Sequence, residues 1–262
     1  MIVTPKFLLW LSLATAMTAP AATPTWSGEV PLKKGIAIHF VHIASGQFLM
    51  GAKNGCYDGL PVHEVHIRTP FWMAKTEISQ QQYRLVMKGE NATAKKNPLL
   101  PMTNISWHEA MAFCKALTTR ERKAKRIPLE YEFTLPSEAQ WEYACRAGST
   151  GAFAGDLNRL GWYASNSGGR VQLVGRKQPN AWGLYDMHGN VWEWCLDDWH
   201  PKYTGAPRDG SAWGWERGVE RRLRGGAWFR EAIFCRSAAR FHRRPAEHSR
   251  SIGFRPVLTS IR

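Results

Sequence analysis

Acidic residues are scarce in this chain: Asp and Glu number 21 against 35 Lys and Arg, giving a net charge of +14 over 262 residues. That imbalance favours solubility and attraction to acidic partners without specifying a fold. Cysteine is sparse as well. Five cysteines allow at most two internal disulfides and leave one thiol. None of them stands in a C-x-x-C spacing, so no zinc-type ligand pattern is present. Beyond the N-terminal segment no apolar run is long enough to cross a membrane, so no transmembrane anchor is expected. Internal repeats and low-complexity tracts are missing too.

The first residues read as a secretory leader. Lys6 supplies a positive start, Phe7 to Met17 is an apolar run too short to span a bilayer, and Ala19-Pro20-Ala21 offers a small-x-small cleavage site. No cysteine follows that run, so no lipoprotein anchor is expected. The expected organisation is a signal peptide over 1–22, an extension over 23–36 and a domain over 37–262, in a periplasmic or secreted protein. The basic residues cluster in 120–126, 217–224 and 236–255. An exported protein rarely meets nucleic acid, so the expected partner is an acidic or aromatic ligand or a partner protein in the cell envelope.

Composition is globular, with 44% hydrophobic residues and 13 tryptophans. Ile38 to Met50 alternates loosely and ends at Gly51, which predicts a strand pair. Val62 to Ile67 predicts a strand that buries Val65 and Ile67 on one face. His63, Glu64 and His66 could suggest a metal site, but on a strand His63 faces away from the other two. Three capping boxes announce helices: Ser79 with Gln82, Ser106 with Glu109, and Ser137 with Gln140. The first should carry Tyr83, Val86 and Met87 inward, the second Ala110, Phe113, Cys114 and Leu117, the third Trp141, Ala144 and Cys145. Thr119 to Arg126 reads as a solvated helix end or loop. After Gly148 no long period survives, and the aromatic content predicts a compact, loop-rich half.

Several blocks carry a resemblance. Gln47-Phe48-Leu49-Met50-Gly51 is followed by Pro61-Val62-His63-Glu64-Val65, Asn104-Ile105-Ser106-Trp107 and the run Leu135 to Ala144. Then come Gly183-Leu184-Tyr185-Asp186-Met187, Gly189-Asn190-Val191-Trp192-Glu193-Trp194, Arg224-Gly225-Gly226-Ala227-Trp228 and Gly253-Phe254-Arg255. In this order they resemble the formylglycine-generating enzyme, or sulfatase-modifying factor, family over about residues 37–258. The resemblance implies an α+β, C-type lectin-like fold with little regular secondary structure.

It also implies site residues. Asp186 and Glu193 carboxylates with the Gly189 and Val191 carbonyls would hold one calcium, which takes hard oxygen ligands. Alternatively Asp186 caps the turn and Glu193 pairs with an arginine. A second calcium site would use Asn166 and Ser167, but its acidic partner is lacking in 168–172. The family's oxidase uses two nearby cysteines after its Gly-Gly to hold copper(I), a soft metal suited to thiolates. Here the first falls on Arg230, and the stretch 227–235 holds only Cys235, so copper is not expected. Cys235 instead resembles the cysteine that in bacterial relatives pairs with Cys145; a free reactive thiol is the alternative.

The implied function is a binding module, with Trp213, Trp215, Arg217, Trp228, Phe229 and Arg230 lining the former substrate cleft. The alternatives are a periplasmic oxidoreductase of the siderophore-maturation type or a true formylglycine-generating oxidase. Candidate acid–base groups for altered chemistry are Glu231, His242 and His248.

Overall fold

The computed structural model describes residues 26–53, 59–88, 97–214 and 219–261. The leader expected over 1–22, together with Cys56, Trp215 and Arg217, lies outside the described residues.

All three capping boxes form. Ser79 and Gln82 exchange bonds at the start of α1 (Gln80–Lys88). Ser106 with Glu109 opens α2 (Trp107–Lys123), and Ser137 with Gln140 opens α3 (Glu138–Arg146). Each box satisfies donors that a helix start leaves unpaired. The α2 residues Ala110, Phe113, Cys114 and Leu117 and the α3 residues Trp141, Ala144 and Cys145 are buried. In α1 the buried residue is Leu85, while Met87 is exposed. Residues 119–123 complete α2, whose Glu121 is buried and held by Arg126 at 2.6 Å.

Three sheets pack with these helices. The first has five antiparallel strands in the order β1-β2-β5-β11-β6, comprising β1 (Glu29–Lys33), β2 (Ile36–Ile43), β5 (Phe71–Ala74), β11 (Val257–Ser260) and β6 (Tyr131–Thr134). β1 lies within the stretch expected to be an extension. The second sheet is the short pair β3 (Gly46–Met50) and β4 (His63–Ile67). The expected strand pair over 38–50 is therefore two strands in different sheets. β4 buries His63, Val65 and Ile67 and exposes Glu64 and His66, as alternation requires.

The third sheet, β10-β7-β8-β9, lies in the half that reads as loop: β7 (Trp192–Asp198), β8 (Arg221–Arg224), β9 (Arg240–Arg243) and β10 (Ile252–Gly253). α4 (Leu157–Leu160) is a single turn. One core, containing Phe113, Trp192, Trp194 and Phe254, joins α1 and α2 to the first and third sheets. A second, around Trp141, Phe71 and Met50, lies beneath α3. No helix among the described residues is long and apolar enough to cross a membrane.

β8 is the surprise. All four of its residues, Arg-Arg-Leu-Arg, are buried. Its arginines meet carboxylates from α3 and β7. Arg224 pairs with Glu142 and lies 3.6 Å from Glu138, Arg222 lies 3.5 Å from Glu138, and Arg221 pairs with Asp198. Arg240 of β9 grips Glu138 with two bonds of 2.7 and 2.9 Å, and Arg146 holds Glu142 at 2.8 Å. Burial would raise the Glu138 carboxyl, but Arg240, Arg222 and Arg224 outweigh it and hold it well below the usual carboxylate range. Much of the basic clusters over 217–224 and 236–255 is thus spent inside the protein.

Removing Glu138 takes a carboxylate away from three buried guanidinium groups, Arg222, Arg224 and Arg240. Glu138→Ala should cost about 3–5 kcal/mol in denaturant unfolding, whereas Glu64→Ala on the exposed face of β4 should stay within about 0.5 kcal/mol. Equal effects from the two substitutions would contradict this network.

Candidate functional site

The loop between β8 and β9 starts at Gly225-Gly226. Gly226 has φ +83, and a Cβ there would lie 2.5 Å from the Cys235 sulfur, so glycine is required. The next residues are pinned from both sides. Trp228 donates its N–H to Asn190 at 2.9 Å, Ser167 bonds the Trp228 carbonyl at 2.8 Å, and Ala164 donates to the Arg230 carbonyl at 2.9 Å. A 3-10 turn, Ala232–Cys235, follows.

These bonds fix the Arg230 side chain among phenyl rings. Its guanidinium carbon lies 4.8 Å from the Phe229 ring centre, 5.2 Å from Phe234 and 5.6 Å from Phe241. Stacking of this kind favours a weakly hydrated, planar cation. Phe229, Ile233 and Phe234 are exposed by 42%, 45% and 38%. Two donors here, Arg230 Nε and Trp228 Nε1, are buried with no hydrogen-bond partner. Buried donors of this kind are costly unless a ligand satisfies them.

Of the six expected cleft residues, Trp215 and Arg217 lie outside the described residues, and the other four do not come together. Trp228, Phe229 and Arg230 form one patch, with Trp228 and Phe229 ring centres 5.2 Å apart. Trp213 sits at the other end of β7: it bonds Asp197 and Asp198 and stacks on His200 at 3.7 Å. The seven-residue β7 separates the two ends by about 20 Å at strand rise. Ile233, Phe234 and Phe241 belong to the patch instead. The exposure of Ile233 and Phe234 depends on the turn geometry, which no periodicity in the sequence announces.

The implied calcium ligands do not fit as a set. Glu193 spends both oxygens on Arg255, at 2.7 and 2.6 Å, and accepts from the Trp141 indole at 2.7 Å. Asp186 accepts from the Gly175 N–H at 2.6 Å and keeps one buried oxygen without a partner, as does Glu77. The carboxylates with oxygens to spare are therefore Asp186 and Glu77. Burial pushes both up, Asp186 to about 6, and the Asp186 charge raises Glu77 further. Glu77 escaped the sequence reading because it stands in an ordinary strand-to-helix segment. Asn166 and Ser167 are used locally: Asn166 bonds Tyr163 and Gly161, and Ser167 bonds Trp228 and Gly169.

The expected Cys145–Cys235 bridge is not formed. Both are free and buried, like Cys114 and Cys195. The His188 ring packs against the Cys145 sulfur, which lies 3.8 and 3.9 Å from its two nitrogens, and faces the Cys235 carbonyl at 2.9 Å. His188 accepts from the Ala154 N–H at 3.0 Å, which leaves Nδ1 as the donor to Cys235. Burial lowers its pKa to about 4 and pushes the Cys145 and Cys235 thiols up to about 12. Neither thiol is poised as a nucleophile. The three acid–base candidates are scattered. Glu231 is exposed, His242 faces Glu220 at 3.0 Å, and His248 faces Glu109 at 2.8 Å.

Asp197 gives a pH signature. Burial, then the Glu138 charge, raises it from 3.8 to about 7. The folded protein holds this proton more tightly than the unfolded chain does. Its contribution to stability is therefore present at acid pH and is lost as pH rises from about 4 to 7. Asp197→Asn should flatten that part of the stability profile measured by urea unfolding; an unchanged slope would contradict the assignment.

Comparison with known proteins places the fold. Residues 32–260 match the sulfatase-modifying factor enzyme 1-like domain. The formylglycine-generating enzyme of Streptomyces coelicolor is 30% identical over 188 residues, which cover 64% of this chain and 55% of that enzyme. The chaperone protein LppX of Paenibacillus barcinonensis is 26% identical over 195 residues, 55% of this chain and 69% of that protein. Among solved structures, PvdO from Pseudomonas aeruginosa superposes with a TM-score of 0.78 at 26% identity, covering 91% of this chain and 100% of its own. Variable protein 1 of Treponema denticola gives a TM-score of 0.75 at 25% identity over the same shares. With its blocks in order and its α+β frame shared, the chain belongs to the sulfatase-modifying factor family.

Proposed function

We propose that this chain is an exported binding member of its family, and that it takes an acidic or aromatic group of a ligand or partner protein at the Arg230 patch. One observation carries the reading. Arg230 is a guanidinium stacked among three phenyl rings, and its buried Nε lacks a hydrogen-bond partner. A carboxylate would satisfy that donor and its charge, and an aromatic group would extend the stack on Phe229 and Phe234. Export rests on Lys6 and the apolar run from Phe7.

The proposal sets oxidase chemistry aside. Arg230 stands where the family resemblance places the first thiol, and Cys235, the one cysteine of the stretch, is buried. Two-thiol capture of copper(I) has no second partner in residues 227–240.

A photo-crosslinking residue at Ile233 in the exported protein should capture an acidic partner. The same residue at the exposed Leu129 should not. Adding Arg230→Ala should lower capture about tenfold, the loss typical of a central anchor. Equal capture with and without Arg230 would overturn the binding reading. A sulfatase-type cysteine peptide supplied with copper(I) should stay unconverted; turnover above a no-enzyme control would overturn the non-oxidase reading separately.

A further inference from the structure

Two arginines tie the C-terminal end of α2 down on both flanks. Arg120 donates to the Pro31 and Leu32 carbonyls of β1 at 3.1 Å each. Arg122, two residues on and so about 200° around the helix, donates to the Leu129 and Tyr131 carbonyls at 2.8 Å each. The first tie brings the β1–β2 hairpin beside the helix. Lys33 pairs with Ile36, so Lys34 and Gly35 make the turn, where Gly35 supplies a positive φ of +73. A cavity of about 560 Å³ opens between this turn and the helix end, with Lys33, Lys34, Arg120 and Arg126 in its walls.

The arginines of this end are already engaged. Arg120 holds β1, Arg122 holds the turn at 129–131, and Arg126 grips the buried Glu121 at 2.6 Å. The lysines are not. Lys33, Lys34, Lys123 and Lys125 are exposed, and none of their ammonium groups has a partner among the described residues. Lys123 stands three residues after Arg120, so the two share a helix face on the hairpin side. The carboxylate at the cavity, Glu29, faces His39 at 3.7 Å, and Glu130 is the one exposed carboxylate of 119–130. Beside these cations Leu129 is 77% exposed, in the turn that Arg122 fixes.

We infer that this end of α2, together with the β1–β2 turn, is a docking face for a surface of anionic phospholipid. The four lysines meet the phosphate groups and Leu129 enters the headgroup layer. Two observations favour a lipid surface over other acidic partners. The hairpin lysines and Leu129 lie on opposite flanks of a helix about 10 Å across, wider than one small anion spans, whereas a membrane plane meets both. An exposed leucine among lysines also suits an interface that offers phosphate and acyl chain together; a purely ionic partner has no use for it. The face uses no residue of the Arg230 patch and does not rest on that reading.

The test uses the whole chain and vesicles of phosphatidylglycerol mixed with phosphatidylcholine, read by co-sedimentation. The chain should bind these vesicles and not vesicles of phosphatidylcholine alone. Binding should weaken as salt rises, because exposed charges are screened. Replacing Lys33, Lys34, Lys123 or Lys125 by alanine should lower the partition about fivefold each, the worth of one basic residue near an anionic surface. Leu129→Ala should lower it severalfold through lost apolar burial. Arg250→Ala controls for net charge. Arg250 is exposed and follows Ser249, whose carbonyl holds Asn104 near the other end of the 17-residue α2, about 25 Å away; this variant should bind as the parent does. All these side chains are exposed, so the melting temperature should not move. No binding to the anionic vesicles, equal binding to neutral ones, or an Arg250→Ala loss equal to the lysine losses would each overturn the inference. So would an unchanged partition for Leu129→Ala, or a protein captured in place of lipid by a photo-crosslinking residue at Leu129.

Discussion

Two glutamates on α3 decide where everything in the second half of this protein sits. Glu138 and Glu142 are buried, and they take Arg222 and Arg224 from β8, Arg240 from β9 and Arg146 from their own helix. Burying so many charges is costly unless each meets its partner in good geometry. A docking of the helix on the sheet that parted these charges would leave them buried without a counter-charge, so the network favours this register. Trp141, on the same helix, lies under the Arg224 guanidinium at 5.3 Å and donates to Glu193. Glu193 in turn holds Arg255.

Arg224 carries this constraint to the site. Its guanidinium bonds Glu142 and also the carbonyls of Ser237 and Ala239. The loop that leaves β8 at Gly225 is thereby tied down again just before β9 begins. Between those ties the chain must turn sharply, which Gly226 permits, and Phe229, Ile233 and Phe234 are carried outward. Arg230 remains as a cation without a carboxylate partner among the described residues. The fold thus spends its few acids on its internal arginines and presents the Arg230 guanidinium, stacked on Phe229 and Phe234, near the surface.

Much of the first half was legible in the sequence. Capping boxes are local signals, and each of the three marks a helix start; alternation in 63–67 gives the buried face of β4. The second half was not legible, because its strands do not look like strands. Arg221 to Arg224 reads as part of a basic cluster for an acidic partner, and the carboxylates of α3 and β7, far away in sequence, make it a buried strand. The same non-local pairing undid the calcium set, since Arg255 occupies Glu193. Trp213 and Trp228 read as neighbours in one cleft, yet β7 holds them apart. The cysteines read as a bridge, yet His188 packs against Cys145. Family blocks gave the frame; which charges meet inside it depends on contacts that sequence order does not display.

The central claim is that the Glu142–Arg224 pair is a specific coupling that holds the site loop in place. A double-mutant cycle with Glu142→Gln and Arg224→Met, followed by urea unfolding, tests it most directly. The account predicts a coupling energy of about 2 kcal/mol or more, with the double variant destabilised by less than the two single variants added together. It also predicts faster amide exchange in residues 226–239 in the single variants. Additive effects, with a loop whose exchange does not change, would contradict it.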